Sequence, residues 1–155
     1  QPLAPMSSRC FLGETMTYYE YKHIVDFSET NVVGNVYYTN HIRWQGRCRE
    51  MFLREHAPSM LDELKRGLVM ATLKVHCEYF HEVLAFDEVS IRMTLKAYSN
   101  HRITLGFDYW RPSESGEELI ARGEQVISCM QRQEDKAEPC VWPDVFRASL
   151  EPYRA

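Results

Sequence analysis

Asp26-Phe27-Ser28-Glu29-Thr30-Asn31-Val32-Val33-Gly34-Asn35-Val36-Tyr37-Tyr38-Thr39-Asn40-His41-Ile42-Arg43-Trp44-Gln45-Gly46-Arg47-Cys48-Arg49-Glu50-Met51-Phe52-Leu53-Arg54 is the stretch that decides the fold. It leaves a strand-like run, turns through Asn31 and Gly34, and enters a segment with helical spacing. The first N–H groups of a helix lack intrahelical partners, so a carbonyl oxygen presented there finds donors. The layout suits an acyl group. At about 100° per residue, Arg43, Arg47, Glu50 and Arg54 share one side of the helix as a solvated face with i,i+3 and i,i+4 spacing. Arg49 lies more than a right angle away, among Ile42, Gly46, Phe52 and Leu53, where an unpaired guanidinium is costly to bury. Two readings of it stay open: a stem on apolar surface with its head at water or a structural carboxylate, or a cation directed into an acyl site.

Working outward, Thr15 to Phe27 reads as a first strand, with Tyr19, Tyr21, His23 and Val25 on one face. The helix is expected from about Tyr37 to His56, stopped by Pro58, and a short second helix from Ser59 to Gly67. Four strand-like runs follow. Ala71 to Phe80 sets Ala71, Leu73, Val75, Cys77 and Tyr79 against polar neighbours. Glu88 to Lys96 alternates Val89, Ile91, Met93 and Leu95 with Ser90, Arg92, Thr94 and Lys96. Ile103, Leu105, Phe107 and Tyr109 mark the third run, and Leu119 to Met130 the fourth. Ser99-Asn100 and Ser113 to Gly116 suggest antiparallel hairpins. One strand, a long helix and four antiparallel strands predict an α+β fold in which the sheet wraps the helix. Gly46 and Cys48, small residues within that helix, suit close enclosure.

A chain of 155 residues with 45% hydrophobic content can bury a single core. The expected layout is a flexible N-terminal segment over 1–14, one domain over 15–132, and a C-terminal tail over 133–155 with little periodicity. Gln1 to Pro5 read as an addition preceding Met6. A net charge of −4 argues against general nucleic-acid binding. No apolar run approaches the roughly 20 residues that span a bilayer, so a soluble, cytoplasmic protein without membrane partners is expected. Cys10, Cys48, Cys77, Cys129 and Cys140 are widely spaced, without a Cys-x-x-Cys pair, and support neither a disulfide framework nor a zinc knuckle. They are expected to be reduced and mostly packed. The 6 histidines lack metal-ligand spacing, so neither a metal nor another cofactor is expected. No Gly-x-Ser-x-Gly elbow or Gly-rich phosphate loop is present, which disfavours serine hydrolases and nucleotide users. Cys48, in mid-helix, lacks the N-terminal dipole that would activate a thiol.

The segment Asn31-Val32-Val33-Gly34-Asn35-Val36-Tyr37-Tyr38 resembles the Asp-x-x-Gly-x-x-Tyr-aromatic motif of hot-dog thioesterases of the 4-hydroxybenzoyl-CoA thioesterase type, over about Thr15 to Met130. An asparagine stands where those enzymes carry aspartate. Asn31 together with Arg49 is similar to a narrower group, the thioesterases of enediyne polyketide biosynthesis. The resemblance implies a single hot-dog domain, an antiparallel five-stranded sheet wrapped around a long central helix. It also implies homodimers with a continuous sheet, pairing further into a homotetramer, and active sites at the subunit interface.

An amide cannot act as a nucleophile or base at neutral pH, but it can orient a water or donate to developing charge. The resemblance implies catalytic roles for Asn31, for Arg49 as a cation near the thioester, and for the backbone N–H of Tyr38 as oxyanion donor. Gly34, Tyr37 and His41 are the expected substrate-binding positions, with His41 able to face either substrate or solvent. Glu29 and Glu78 could serve as base, although each is more simply a surface residue. The implied substrate is a polyene β-ketoacyl chain on the acyl carrier domain of an iterative polyketide synthase, the released β-keto acid then losing CO2. The helix arginines, with Lys65, Arg66 and Arg111, could meet that acidic carrier. The rivals are a general acyl-CoA thioesterase and a non-catalytic module that binds acyl thioesters.

Overall fold

The computed structural model describes residues 17–155; the N-terminal segment over 1–14 and the first residues of the expected strand lie outside the described residues. The elements run β1 (Tyr19–Ile24), a 3-10 turn (Phe27–Glu29), α1 (Thr39–His56), α2 (Ser59–Lys65), β2 (Leu68–Tyr79), β3 (Glu88–Tyr98), β4 (Arg102–Ser113), β5 (Gly116–Gln133), β6 (Lys136–Pro139), α3 (Asp144–Leu150) and a 3-10 turn (Glu151–Tyr153). All strands pair antiparallel, in the order β1-β3-β4-β5-β2, with β6 pairing β5 beyond the end of β4.

The curled sheet holds α1 against its concave face, as the resemblance implied. Ile91, Met93 and Leu95 of β3 and Ile103, Leu105, Phe107 and Tyr109 of β4 are fully or almost fully buried, the alternation that period-two spacing dictates. From α1, Trp44, Cys48, Phe52 and Leu53 join them, spaced as one stripe of a helix. Arg43, Arg47, Glu50 and Arg54 are exposed, and Arg47 pairs with Glu50 at 3.3 Å, so the solvated face is as expected. Pro58 follows the last turn of α1, where Ala57 N–H still reaches the Leu53 carbonyl at 3.0 Å. β1 shows Tyr19 buried, Tyr21 and His23 half-buried and Lys22 exposed, one face inward.

Two features differ from expectation. β2 is an edge strand whose register breaks at Leu73, and Leu73, Val75 and Tyr79 are all exposed. After Gln131 the chain is more regular than its prolines suggested. β5 continues to Gln133, β6 pairs with it, and Pro143 precedes α3. Trp142, Phe146, Leu150 and Tyr153 are buried, with Tyr153 against Phe52 at 5.7 Å between ring centroids. The signal was there: Trp142, Phe146 and Leu150 stand at i, i+4 and i+8, one helical face. Ala155 N–H then donates to the Leu95 carbonyl at 2.9 Å, returning the chain end to β3.

Candidate active site

The turn between β1 and α1 is built by its own polar groups. Asn31 N–H donates to the Asn35 carbonyl at 2.8 Å, Gly34 N–H to the Asn31 carbonyl at 2.9 Å, and Val33 N–H to Asn31 Oδ1 at 3.0 Å. The last is an Asx turn, so the Asn31 carboxamide oxygen is engaged locally and its NH2 remains as a donor. Gly34 sits at φ +93°, a conformation that favours glycine. This explains a glycine three residues after Asn31 without appeal to a ligand.

Glu29 joins the turn to the helix. Its backbone carbonyl accepts from Tyr37 N–H at 2.9 Å and from Asn40 Nδ2 at 2.8 Å. Its carboxylate accepts from Trp44 Nε1 at 2.7 Å and bonds His23 Nε2 at 2.7 Å. The side chain is only 12% exposed, so the reading of Glu29 as a simple surface residue is corrected; Glu78 on β2 is exposed. A cleft of about 490 Å³ opens beside this network, lined by Tyr21, His23, Glu29, Trp44, Gly46 and Arg47 among others. Asn31, Tyr38, His41 and Arg49 do not line it. Gly46 faces this open space, and a Cβ there would meet nothing within 4 Å, so close packing does not require it. Cys48, by contrast, is fully buried, and burial pushes its thiol well up, which leaves it inert.

Tyr38 is the N-cap of α1, and its carbonyl accepts from Tyr79 Oη at 2.7 Å, tying the helix start to β2. The Tyr37 and Tyr38 rings lie 4.7 Å apart and are exposed. His41 faces neither of its expected surroundings freely, because it is 3% exposed. Its ring packs against Tyr79 at 4.7 Å and Trp44 at 5.0 Å, both ring nitrogens are buried, and the Tyr38 backbone is the polar group that bears on them among the described residues. Burial lowers its pKa to about 4, so the imidazole is neutral at pH 7.

One turn further, Gln45 Nε2 donates to the His76 carbonyl at 3.1 Å. Another turn on, Arg49 Nη1 donates to Oε1 of buried Gln125 on β5 at 3.0 Å. His41, Gln45 and Arg49 thus form a polar stripe of i, i+4 and i+8 between α1 and the β5–β2 edge. Among the described residues no carboxylate lies within ion-pair distance of Arg49, and burial lowers its pKa from the usual guanidinium value. Its head therefore goes neither to water alone nor to a structural carboxylate. It is a partly desolvated cation held by a neutral amide, which favours a passing anion.

The fold brings Asn31, Gly34, Tyr37 and Tyr38 together at one end of α1. It does not bring Arg49 to them within a chain. Arg49 stands eleven residues after Tyr38, about 16 Å along the helix axis. The sequence reading missed the His23–Glu29–Trp44 network and the partners Gln45 and Gln125. Only the inward parity of His23 with Tyr19 and Tyr21 hinted at any of these. Among the described residues, no group of three or more His, Cys, Asp or Glu could hold a metal ion, and no helix is long and apolar enough to cross a membrane.

A long helix in a curled antiparallel sheet, with an Asx-capped turn feeding its N-terminus, defines a class. The chain belongs to the thioesterase-like superfamily, whose family model matches residues 25–150. Its hot-dog fold is shared with solved structures. The dynemicin thioesterase, in crystal structures that describe induced-fit and allosteric effects upon polyene binding, is 41% identical, with a TM-score of 0.85 over 89% of this chain and 98% of that one. An Asp→Asn variant of 4-hydroxybenzoyl-CoA thioesterase, complexed with 4-hydroxybenzoyl-CoA, is 14% identical with a TM-score of 0.77, covering 86% of this chain and 98% of that one. A 1,4-dihydroxy-2-naphthoyl-CoA thioesterase from Synechocystis is 19% identical with a TM-score of 0.75, covering 86% and 95%. The last two establish the fold alone.

Proposed function

We propose that this protein hydrolyses acyl thioesters, and that its substrate is a polyene β-ketoacyl chain carried on the acyl carrier domain of an iterative polyketide synthase. The observation that carries the reading is Arg49: a half-buried guanidinium bonded to an amide and, among the described residues, with no carboxylate within ion-pair distance. Likeness to the dynemicin thioesterase supports the polyene, and the enediyne context with it.

In the proposed chemistry the thioester carbonyl enters at the start of α1. The Tyr38 N–H donates to the developing oxyanion, and the Asn31 NH2 orients the attacking water or shares that charge. Arg49 adds positive charge for the oxyanion and the carboxylate product. Gly34 and Tyr37 shape the entrance, with the neutral, buried His41 ring behind it. The released β-keto acid then loses CO2 readily.

Because Tyr38 and Arg49 are about 16 Å apart along one helix, the site is proposed to be completed across a subunit interface, with Arg49 from a second copy. The exposed edge of β2, with Leu73, Val75 and Tyr79 unburied, supports a continuous sheet between two copies, and a homotetramer would pair such dimers. For the carrier, Arg43, Arg54 and Lys65 are the better candidates. Arg111 is held by Asp87 at 2.9 Å and Glu118 at 2.7 Å, and Arg66 by Glu63.

Incubation with acyl-CoA and acyl-carrier thioesters, followed by free-thiol release, tests the reading. Release from the carrier substrate is expected to exceed release from CoA. No release from either would leave a binding module, and preference for CoA would make the protein a general acyl-CoA thioesterase. Asn31→Ala and Arg49→Ala should each lower turnover by about 100-fold or more, as loss of one transition-state donor does, with unfolding midpoints retained.

A further inference from the structure

The register of β5 with β6 pairs Gln131 with Glu138 and Met130 with Pro139, and its next step sets Cys129 opposite Cys140. Cys140 N–H donates to the Cys129 carbonyl at 3.0 Å, so the pairing does extend to these two residues. Their Sγ atoms are 3.1 Å apart, about 1 Å more than a covalent S–S bond. Directly opposed residues of an antiparallel pair have Cα atoms about 4.5–5.5 Å apart, inside the span of about 4.4–6.8 Å that a disulfide bridges.

Access differs between the two thiols. Cys129 is fully buried, whereas Cys140 is partly exposed at the end of β6. The surrounding backbone is held on both sides: Cys129 N–H donates to the His101 carbonyl at 2.8 Å, and His101 Nδ1 bonds the Cys140 carbonyl at 2.9 Å. Beyond Cys140 come the buried anchors Trp142, Phe146, Leu150 and Tyr153, which attach the C-terminal segment to the core.

We infer that Cys129 and Cys140 are a reversible disulfide site, oxidised by low-molecular-weight disulfides, that staples the C-terminal segment to β5. The Cys140 thiol releases its proton and, as thiolate, attacks one sulfur of the small disulfide. The other sulfur leaves as a thiolate and takes up a proton, and Cys140 is left in a mixed disulfide. Cys129 then loses its proton and attacks the Cys140 sulfur, expelling the second small thiol. Two electrons pass from the protein thiols to the small disulfide, which becomes two thiols. Burial and the neighbouring Cys140 push the Cys129 thiol up to about 12, so this closing step is the slow one.

The test uses the reduced full chain incubated with oxidised glutathione and digested with trypsin without reductant. Cleavage after Arg122, Arg132, Lys136 and Arg147 puts the two cysteines on separate peptides, Gly123–Arg132 and Ala137–Arg147. A cross-linked pair of these peptides, loss of two titratable thiols, and a melting midpoint raised by several degrees and reversed by dithiothreitol are expected. Cys140→Ser should abolish all three and leave thioester turnover unchanged. A persistent glutathione adduct on Cys140, a link through another cysteine, or an unchanged thiol count would overturn the inference. Because oxidised and reduced forms of one chain are compared, the result does not depend on any variant folding.

Discussion

Trp44 Nε1 donates to the Glu29 carboxylate at 2.7 Å, a bond that crosses from the middle of α1 to the turn preceding it. The same residue's backbone carbonyl holds Tyr37 and Asn40, so Glu29 fixes where the helix starts relative to Asn31. Trp44→Phe keeps the ring in the core and deletes the donor. A largely buried carboxylate losing a hydrogen bond costs about 1–3 kcal/mol, so the melting midpoint should fall by roughly 2–10 °C. An unchanged midpoint would show that water replaces the indole without loss.

His41 gives the stability an acid-sensitive component. Its folded pKa is depressed to about 4 from the ordinary 6.5, because burial disfavours the charged form more than the Tyr38 backbone hydrogen bond favours it. Between those values the unfolded chain binds a proton that the folded chain refuses, so stability rises with pH through this window and is lost as pH falls from 6.5 towards 4. The loss is at most about 3 kcal/mol. Urea unfolding of wild type and His41→Leu at pH 7, 6, 5 and 4 should show wild type losing up to about 3 kcal/mol more than the variant on acidification. Parallel curves would mean that the imidazole titrates normally.

Two glycines should respond to alanine with opposite signs. At Gly123 a new Cβ would run into Gln45 Nε2 and stand 2.5 Å from the His76 carbonyl, pushing apart the bond between those residues. Such overpacking costs about 1–3 kcal/mol. At Gly46 the space is open, and replacing a mid-helix glycine gains about 1 kcal/mol. Thermal melts of Gly123→Ala and Gly46→Ala decide; destabilisation by Gly46→Ala would show that this face of α1 is covered in the assembled protein.

Sharing of the site between subunits can be read from hybrids. Asn31→Ala and Arg49→Ala chains, each nearly inactive, are refolded together so that half of the dimers are mixed. If one copy supplies Asn31 and the other Arg49, one site per mixed dimer is intact and about a quarter of wild-type turnover returns. Activity that stays at the level of the parents would place both residues of a working site on one chain.

Most of the scaffold was legible because local spacing fixed it. The alternation of Val89, Ile91, Met93 and Leu95 names a buried face, and the side of Arg43, Arg47, Glu50 and Arg54 a solvated one, that the structure keeps. Asn31 and Gly34 marked the turn through their own chemistry, a side chain that accepts a backbone N–H and a residue that tolerates positive φ. Spacing was silent about β2, because alternation says which residues share a face and not whether anything covers it. It also undervalued α3, whose seven residues between prolines are too few to stand out although two of them, Phe146 and Leu150, pack fully.

The sequence by itself determined the order of strands and helix, the turn at Asn31 and Gly34 and the solvated arginines, since each depends on neighbours within a few residues. Only the tertiary structure decided that Glu29 is buried under Trp44 and His23, that Arg49 rests on Gln125, and that Cys129 meets Cys140. Those partners lie 6 to 76 residues apart, and no local propensity encodes which side chain will stand opposite once the sheet has closed around its helix.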